Sequence, residues 1–107
     1  MSVQSDALAA LQAAETAQAT AKATHDSAIT SWQQAVADAF TKNWALQKAI
    51  ETNSTGQAAA RAADATAQAA RQSAQSSMAA SIASLYLAIQ ARERAYQYAR
   101  SVGVTGI

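Results

Sequence analysis

His25 and Asp26 come first in any search for chemistry, because His25 is the single histidine of this chain. A catalytic histidine needs a partner that orients it, and a metal ion needs several convergent donors. Neighbouring residues on a helix point about 100° apart, so Asp26 does not face His25; Lys22 and Ile29 lie nearer on the helical surface. His25 reads as a solvated or interface histidine. The carboxylates Glu15, Asp38, Glu51, Asp64 and Glu93 are scattered singly, and no Glu-x-x-His pair occurs, which excludes the usual carboxylate metal motif of helical bundles. With no cysteine there is no disulfide framework and no thiolate metal site. The chain has no glycine-rich phosphate loop and no Gly-x-Ser-x-Gly nucleophile turn, and its many serines have no base beside them. The expectation is a protein without catalytic residues, cofactor or metal.

The most distinctive stretch is Arg92-Glu93-Arg94-Ala95-Tyr96-Gln97-Tyr98-Ala99-Arg100. Arg92, Tyr96 and Arg100 share one helical face, and Arg94 and Tyr98 another. Arginines on phosphates with tyrosines stacked on bases would suit nucleic acid. Three arginines do not make a basic groove, however. Cations near a helix C-terminus complement its dipole, and tyrosines with arginine stems make good subunit contacts. A formal net charge of +1, with 14% charged residues, likewise disfavours nucleic acid and an anionic membrane as partners.

These residues must sit on helices. Of 107 residues, 32 are alanine and 22 are larger apolar residues. Alanine has the highest helix propensity because it loses no side-chain entropy on folding, yet its methyl group yields little on burial, at about 25 cal/mol per Å². Proline is absent, and the three glycines, Gly56, Gly103 and Gly106, sit where helices should end. Thr52-Asn53-Ser54-Thr55-Gly56 is the one interior cluster of turn residues, with Gly56 suited to the conformation of a tight connection. The chain therefore reads as a single all-α domain over residues 1–107. It is a long antiparallel helical hairpin, coiled-coil-like and alanine-rich, capped at Ser5 or Asp6. One helix is expected over about 6–51, a turn over about 52–56, a second helix over about 57–101 and an apolar tail over 102–107. Each helix would have roughly 45 residues.

Larger apolar residues recur at three-and-four spacing: Leu8, Leu11, Ile29, Trp32, Val36 and Phe40, then Met78, Ile82, Leu85 (or Tyr86), Ile89 and Tyr96. Between Leu11 and Ile29 the stripe Ala10, Ala14, Ala17 and Ala21 is the expected contact face. A turn centred near Ser54 and Thr55 opposes residue i to roughly residue 109 − i. Phe40 and Trp44 would then face alanines of the second helix, and Ile89 and Tyr96 alanines of the first, so that large meets small.

Two such helices have one mutual face, too narrow for all the large side chains. The remainder marks an interaction surface. The residues expected at an oligomer interface are Trp32, Phe40, Trp44, Ile82, Leu85, Tyr86, Ile89, Tyr96 and Tyr98, with Val104 and Ile107 either docking into a neighbour or fraying. Asp38-Ala39-Phe40-Thr41 and Ala65-Thr66-Ala67-Gln68-Ala69 are loosely similar to segments of bacterial R-body proteins. The cysteine-free composition, rich in Ala, Gln, Ser and Thr, is also similar to that of type III secretion needle subunits. Needle subunits usually carry a proline-containing turn, which this chain lacks. The resemblance implies a filament, ribbon or tube.

The expected function is that of a structural, self-assembling subunit whose partner is itself. The alternatives are a small helical-bundle adaptor or chaperone-like module that binds another helical protein, and a surface-active helix at a granule, a membrane surface or ice. No run reaches the ~20 apolar residues of a membrane span, so no transmembrane segment is expected. The start has no basic region followed by an apolar one, which implies a cytoplasmic protein or export by a signal-independent route.

Overall fold

The computed structural model describes residues 2–107 and contains two helices, α1 (Val3–Glu51) and α2 (Gln57–Ser101), paired as an antiparallel hairpin. The α1 helix begins before Asp6 because Ser2 caps it: Ser2 Oγ accepts the Ser5 backbone N–H at 3.0 Å.

Both helices end in the same way. At the end of α1 the Ser54 N–H donates to the Ala49 carbonyl at 2.9 Å, and the Asn53 N–H donates to that of Ile50 at 3.1 Å. At the end of α2 the Val104 N–H donates to the Ala99 carbonyl at 3.0 Å, and the Gly103 N–H donates to that of Arg100 at 3.1 Å. This doublet is the Schellman cap, which needs a left-handed residue at its corner. Gly103 supplies it in α2 at φ 92°, and Asn53 supplies it in α1 at φ 46°. The left-handed corner of the connection is therefore Asn53 and not Gly56. Asparagine visits this region more readily than other side chains because its short amide bonds locally. Ser54 Oγ then accepts the Gly56 N–H at 3.0 Å, which steers the chain into α2.

The corner at Asn53 resets the register. Gln4 Nε2 donates to the Val102 carbonyl at 3.1 Å, and His25 Nδ1 lies 2.8 Å from Ser81 Oγ, so these partners' numbers add to 106. Asn43 Nδ2 donates to Asp64 Oδ1 at 3.4 Å, a sum of 107. The expected 109 assumed a turn centred between Ser54 and Thr55; the cap closes earlier and moves the pairing by two to three residues.

The seam has a strict period of seven. On α1 the buried or half-buried positions include Ala7, Ala14, Ala21, Ala28, Ala35, Lys42 and Ala49, interleaved with Leu11, Gln18, His25, Trp32, Ala39 and Leu46. On α2 they include Ala60, Ala67, Ala74, Ser81, Ala88, Ala95 and Val102, interleaved with Gln57, Asp64, Arg71, Met78, Leu85, Arg92 and Ala99. In heptad terms the small rows are d and the mixed rows a. Ala14 and Ala21 belong to the seam as expected. Ala10 and Ala17 are exposed, because a period of seven places them beside it.

Contacts divide the chain into an end unit (residues up to Asp26, with Ala80–Ile107) and a turn unit (Ser27–Ala79). In the end unit Ala7, Leu11 and Ala99 form a buried cluster, against which Ala95, Tyr96, Val102 and Val104 pack. The contact of Val104 with this cluster completes the second Schellman cap. In the turn unit the buried apolar residues are Ala39, Leu46 and Ala67.

The two caps predict opposite responses to glycine and alanine. Asn53→Gly should raise stability by up to about 1 kcal/mol, since glycine carries no Cβ penalty at positive φ. Gly103→Ala should lower it by at least about 1 kcal/mol, because the position has positive φ and a Cβ would meet Gln4 Nε2 at 3.0 Å. Urea unfolding followed by circular dichroism reads both. A destabilising Asn53→Gly or a neutral Gly103→Ala would refute the cap assignment.

Candidate functional site

The seam takes two positions in every seven, and what lies beside it differs between its flanks. In the end unit Ile82, Ile89 and Tyr96 follow one another at the e position of α2, with Tyr86 between them at b. In the turn unit Ile29, Val36 and Ile50 take the e position of α1, with Phe40 at b and Trp44 next to it at f. Two surface grooves place the e positions of the two helices on a common side. One is lined by Val36, Ala39, Phe40, Asn43, Gln68 and Arg71 of the turn unit. The other, in the end unit, includes Leu8, Glu15 and Tyr96. The g flank is built of small or polar residues: Ala10, Ala17, Thr24, Ser84 and Ala91 in the end unit, and Ser31, Asp38, Ala45, Ala63, Ala70 and Ser77 in the turn unit. Tyr98 is the one large aromatic on it.

The residues expected at an interface divide in two. Phe40 is 76% exposed, Tyr86 61%, Trp44 58%, Tyr98 53% and Ile82 50%, with Ile89 and Ile107 also in the exposed class. Phe40, Trp44 and Ile89 therefore do not fill space against alanines of the opposite helix; the seven-residue seam turns them outward. Trp32, Leu85, Tyr96 and Val104 are half-buried. Trp32 and Leu85 stand at a positions of the seam, while Tyr96 and Val104 pack on the Ala7–Leu11–Ala99 cluster of their own chain. The apolar tail folds back in the same way: Val102 joins that cluster, and Ile107 lines a groove with Leu8, Leu11, Arg92 and Tyr96.

Arg92 is half-buried in the seam, and the Arg100 guanidinium lies over the Tyr96 ring at 5.8 Å, so that ring already has a cation on it. Lys48 Nζ lies 4.8 Å from the Trp44 ring centroid, which partly covers that indole. Lys22 and Asp26 pair at 2.8 Å on the surface of α1; the hydrogen bond raises the lysine pKa and lowers that of the aspartate. Among the described residues no group of three or more His, Cys, Asp or Glu side chains could hold a metal ion. Among the described residues no helix is long and apolar enough to cross a membrane.

Sequence reasoning placed His25 on a surface or interface, whereas it is a half-buried a-position residue whose ring meets Ser81, itself 5% exposed. The signal was available in the row Leu11, Gln18, His25, Trp32, Ala39 and Leu46, which becomes visible once the alanines are read as a period of seven. Comparison with protein families, curated proteins and solved structures gives no match.

The His25–Ser81 pair makes a stability prediction. The His25 ring and the Ser81 hydroxyl meet in the seam, so truncating one removes that hydrogen bond, whereas replacing both leaves an apolar layer. His25→Leu should cost about 1 kcal/mol, and His25→Leu with Ser81→Ala should recover that loss. Chemical unfolding of the two variants decides it; a double variant that loses more than the single one would contradict this reading of the layer.

Proposed function

We propose that this chain is a structural subunit that assembles with copies of itself and carries out no catalysis. The observation behind this reading is an inversion of the usual distribution of side chains. The buried apolar residues are four alanines and two leucines, Leu11 and Leu46, while Val3, Phe40, Trp44, Ile50, Ile82, Tyr86, Leu87, Ile89, Tyr98 and Ile107 are exposed. Single exposed apolar residues are ordinary, but contiguous ones mark interaction surfaces.

Area points the same way. The accessible surface is 7110 Å², whereas a folded monomer of 11.0 kDa has about 5,600 Å² by the usual scaling of surface with mass. The excess of about 1,500 Å² per chain is about twice the ~800 Å² that each partner buries in a standard stable interface. A hairpin held by an alanine seam thus has the surface of a molecule that completes its burial by association. Long helices without a strongly charged face suit a filament, ribbon or tube.

Sedimentation velocity together with negative-stain microscopy tests the proposal. The expected result is a large species with regular filaments, ribbons or rings, and dispersal to smaller species on Phe40→Ser with Trp44→Ser. A monomer across the accessible concentration range would refute it. A closed dimer or tetramer that stops growing would favour the adaptor reading.

A further inference from the structure

We infer that the flank of α2 formed by Ile82, Tyr86 and Ile89 is the docking surface for a second copy of this chain, and that the two α2 helices meet antiparallel about Ser84. The inference rests on self-assembly and specifies the surface that performs it. Ile82, Tyr86 and Ile89 are spaced four and three apart, which is a second heptad seam beside the one that α1 already covers. All three are in the exposed class, although each carries a large apolar side chain.

The other apolar group, Val36, Phe40 and Trp44 in the turn unit, is less suited to a self-complementary contact and is left for a second one, which an assembly that grows beyond a pair requires. Arg71 lines the groove beside Val36 and Phe40, and Lys48 already sits on Trp44. The Ile82 flank has the opposite setting. Between Arg71 and Arg92 the sequence of α2 has no charged residue at all. A second α2 can therefore approach this stretch without burying a charge of either α2; the e and b positions of α1 on that side carry Lys22 and Asp26, which already pair with each other.

Charge also selects the direction. A parallel pairing in register would set Arg92, Glu93 and Arg94 beside their own copies, opposing like charges. An antiparallel pairing centred on Ser84 sets those three residues opposite Ser76, Gln75 and Ala74, within the uncharged stretch of the other helix. It places Ile82 against Tyr86 of the second copy and Tyr86 against its Ile82. Ile89 falls against the small residues that precede Ile82. Large side chains then meet either each other or alanine and serine, a self-complementary surface of the kind a two-fold axis requires.

The cysteine-free chain allows a direct test with single nitroxide labels at Ala83→Cys and, separately, at Gln97→Cys, both beside the docking flank, read by pulsed dipolar spectroscopy. The expected result is a short separation between Ala83 labels and about 40 Å between Gln97 labels, thirteen residues from the centre on each helix. In parallel, Ile82→Glu and Ile89→Glu should each weaken association at least tenfold, by loss of apolar burial, with helicity unchanged because both sites are exposed. Short separations at both labels, or association unaffected by both glutamates, would overturn this surface while leaving self-assembly intact. A wild-type chain that stays monomeric would overturn both.

Discussion

Everything in this molecule follows from a seven-residue repeat of alanine on both helices, broken only at Lys42, Ser81 and Val102. A methyl group lets two helix backbones approach closely and makes each helix easy to form, but it removes little apolar area from water. The seam Ala7, Ala14, Ala21, Ala28, Ala35 and Ala49 against Ala60, Ala67, Ala74, Ser81, Ala88 and Ala95 is therefore geometrically strict and energetically thin. Among the described residues Leu11 and Leu46 are the only large apolar side chains buried in it. The bulky residues stand where the seven-residue period leaves them, beside the seam. The inversion of large and small is thus a consequence of the repeat and not a separate feature.

A seam this uniform does not by itself fix which residue meets which, since alanine opposes alanine equally well in neighbouring registers. Register is set instead by a few specific devices. The Schellman cap at Asn53 fixes where α1 stops, and Ser54 sets the exit of the chain. The His25–Ser81 layer gives the end unit a polar pair that only one alignment satisfies. At the far end the cap on Gly103 brings the tail back, so that Val102 and Val104 close over Ala7, Leu11 and Ala99, with Gln4 bonded to the Val102 carbonyl. Polar and capping residues carry the specificity that the apolar seam lacks.

The architecture was legible in the sequence because its signals are local: no proline, turn residues gathered at 52–56, and unbroken helix propensity on either side. The orientation of each helix was less so. Following the large residues suggests a seam through Val36 and Phe40, and following any alanine stripe admits Ala10 and Ala17, because spacings of three and four fit several adjacent stripes of so alanine-rich a helix. Only the seven-residue repeat separates them, and it places Phe40, Trp44 and Ile89 outside. The cap was misplaced for a similar reason. Gly56 is the residue that most easily takes a positive φ, but hydrogen-bond geometry at the end of α1 put that requirement three residues earlier, at Asn53. Of the residues singled out for an interface, Tyr96 and Val104 turned inward because the tail and its cap are packed by contacts distant in sequence.

The central claim is that the hairpin relies on its exposed apolar flank, so its stability should be inseparable from association. Thermal unfolding measured across a wide range of protein concentration tests this directly, because a species that gains stability by binding its own copies has a midpoint that depends on concentration. The account predicts a midpoint that rises steadily with concentration. A midpoint that does not move, with a fully helical monomer at the lowest concentration, would contradict it.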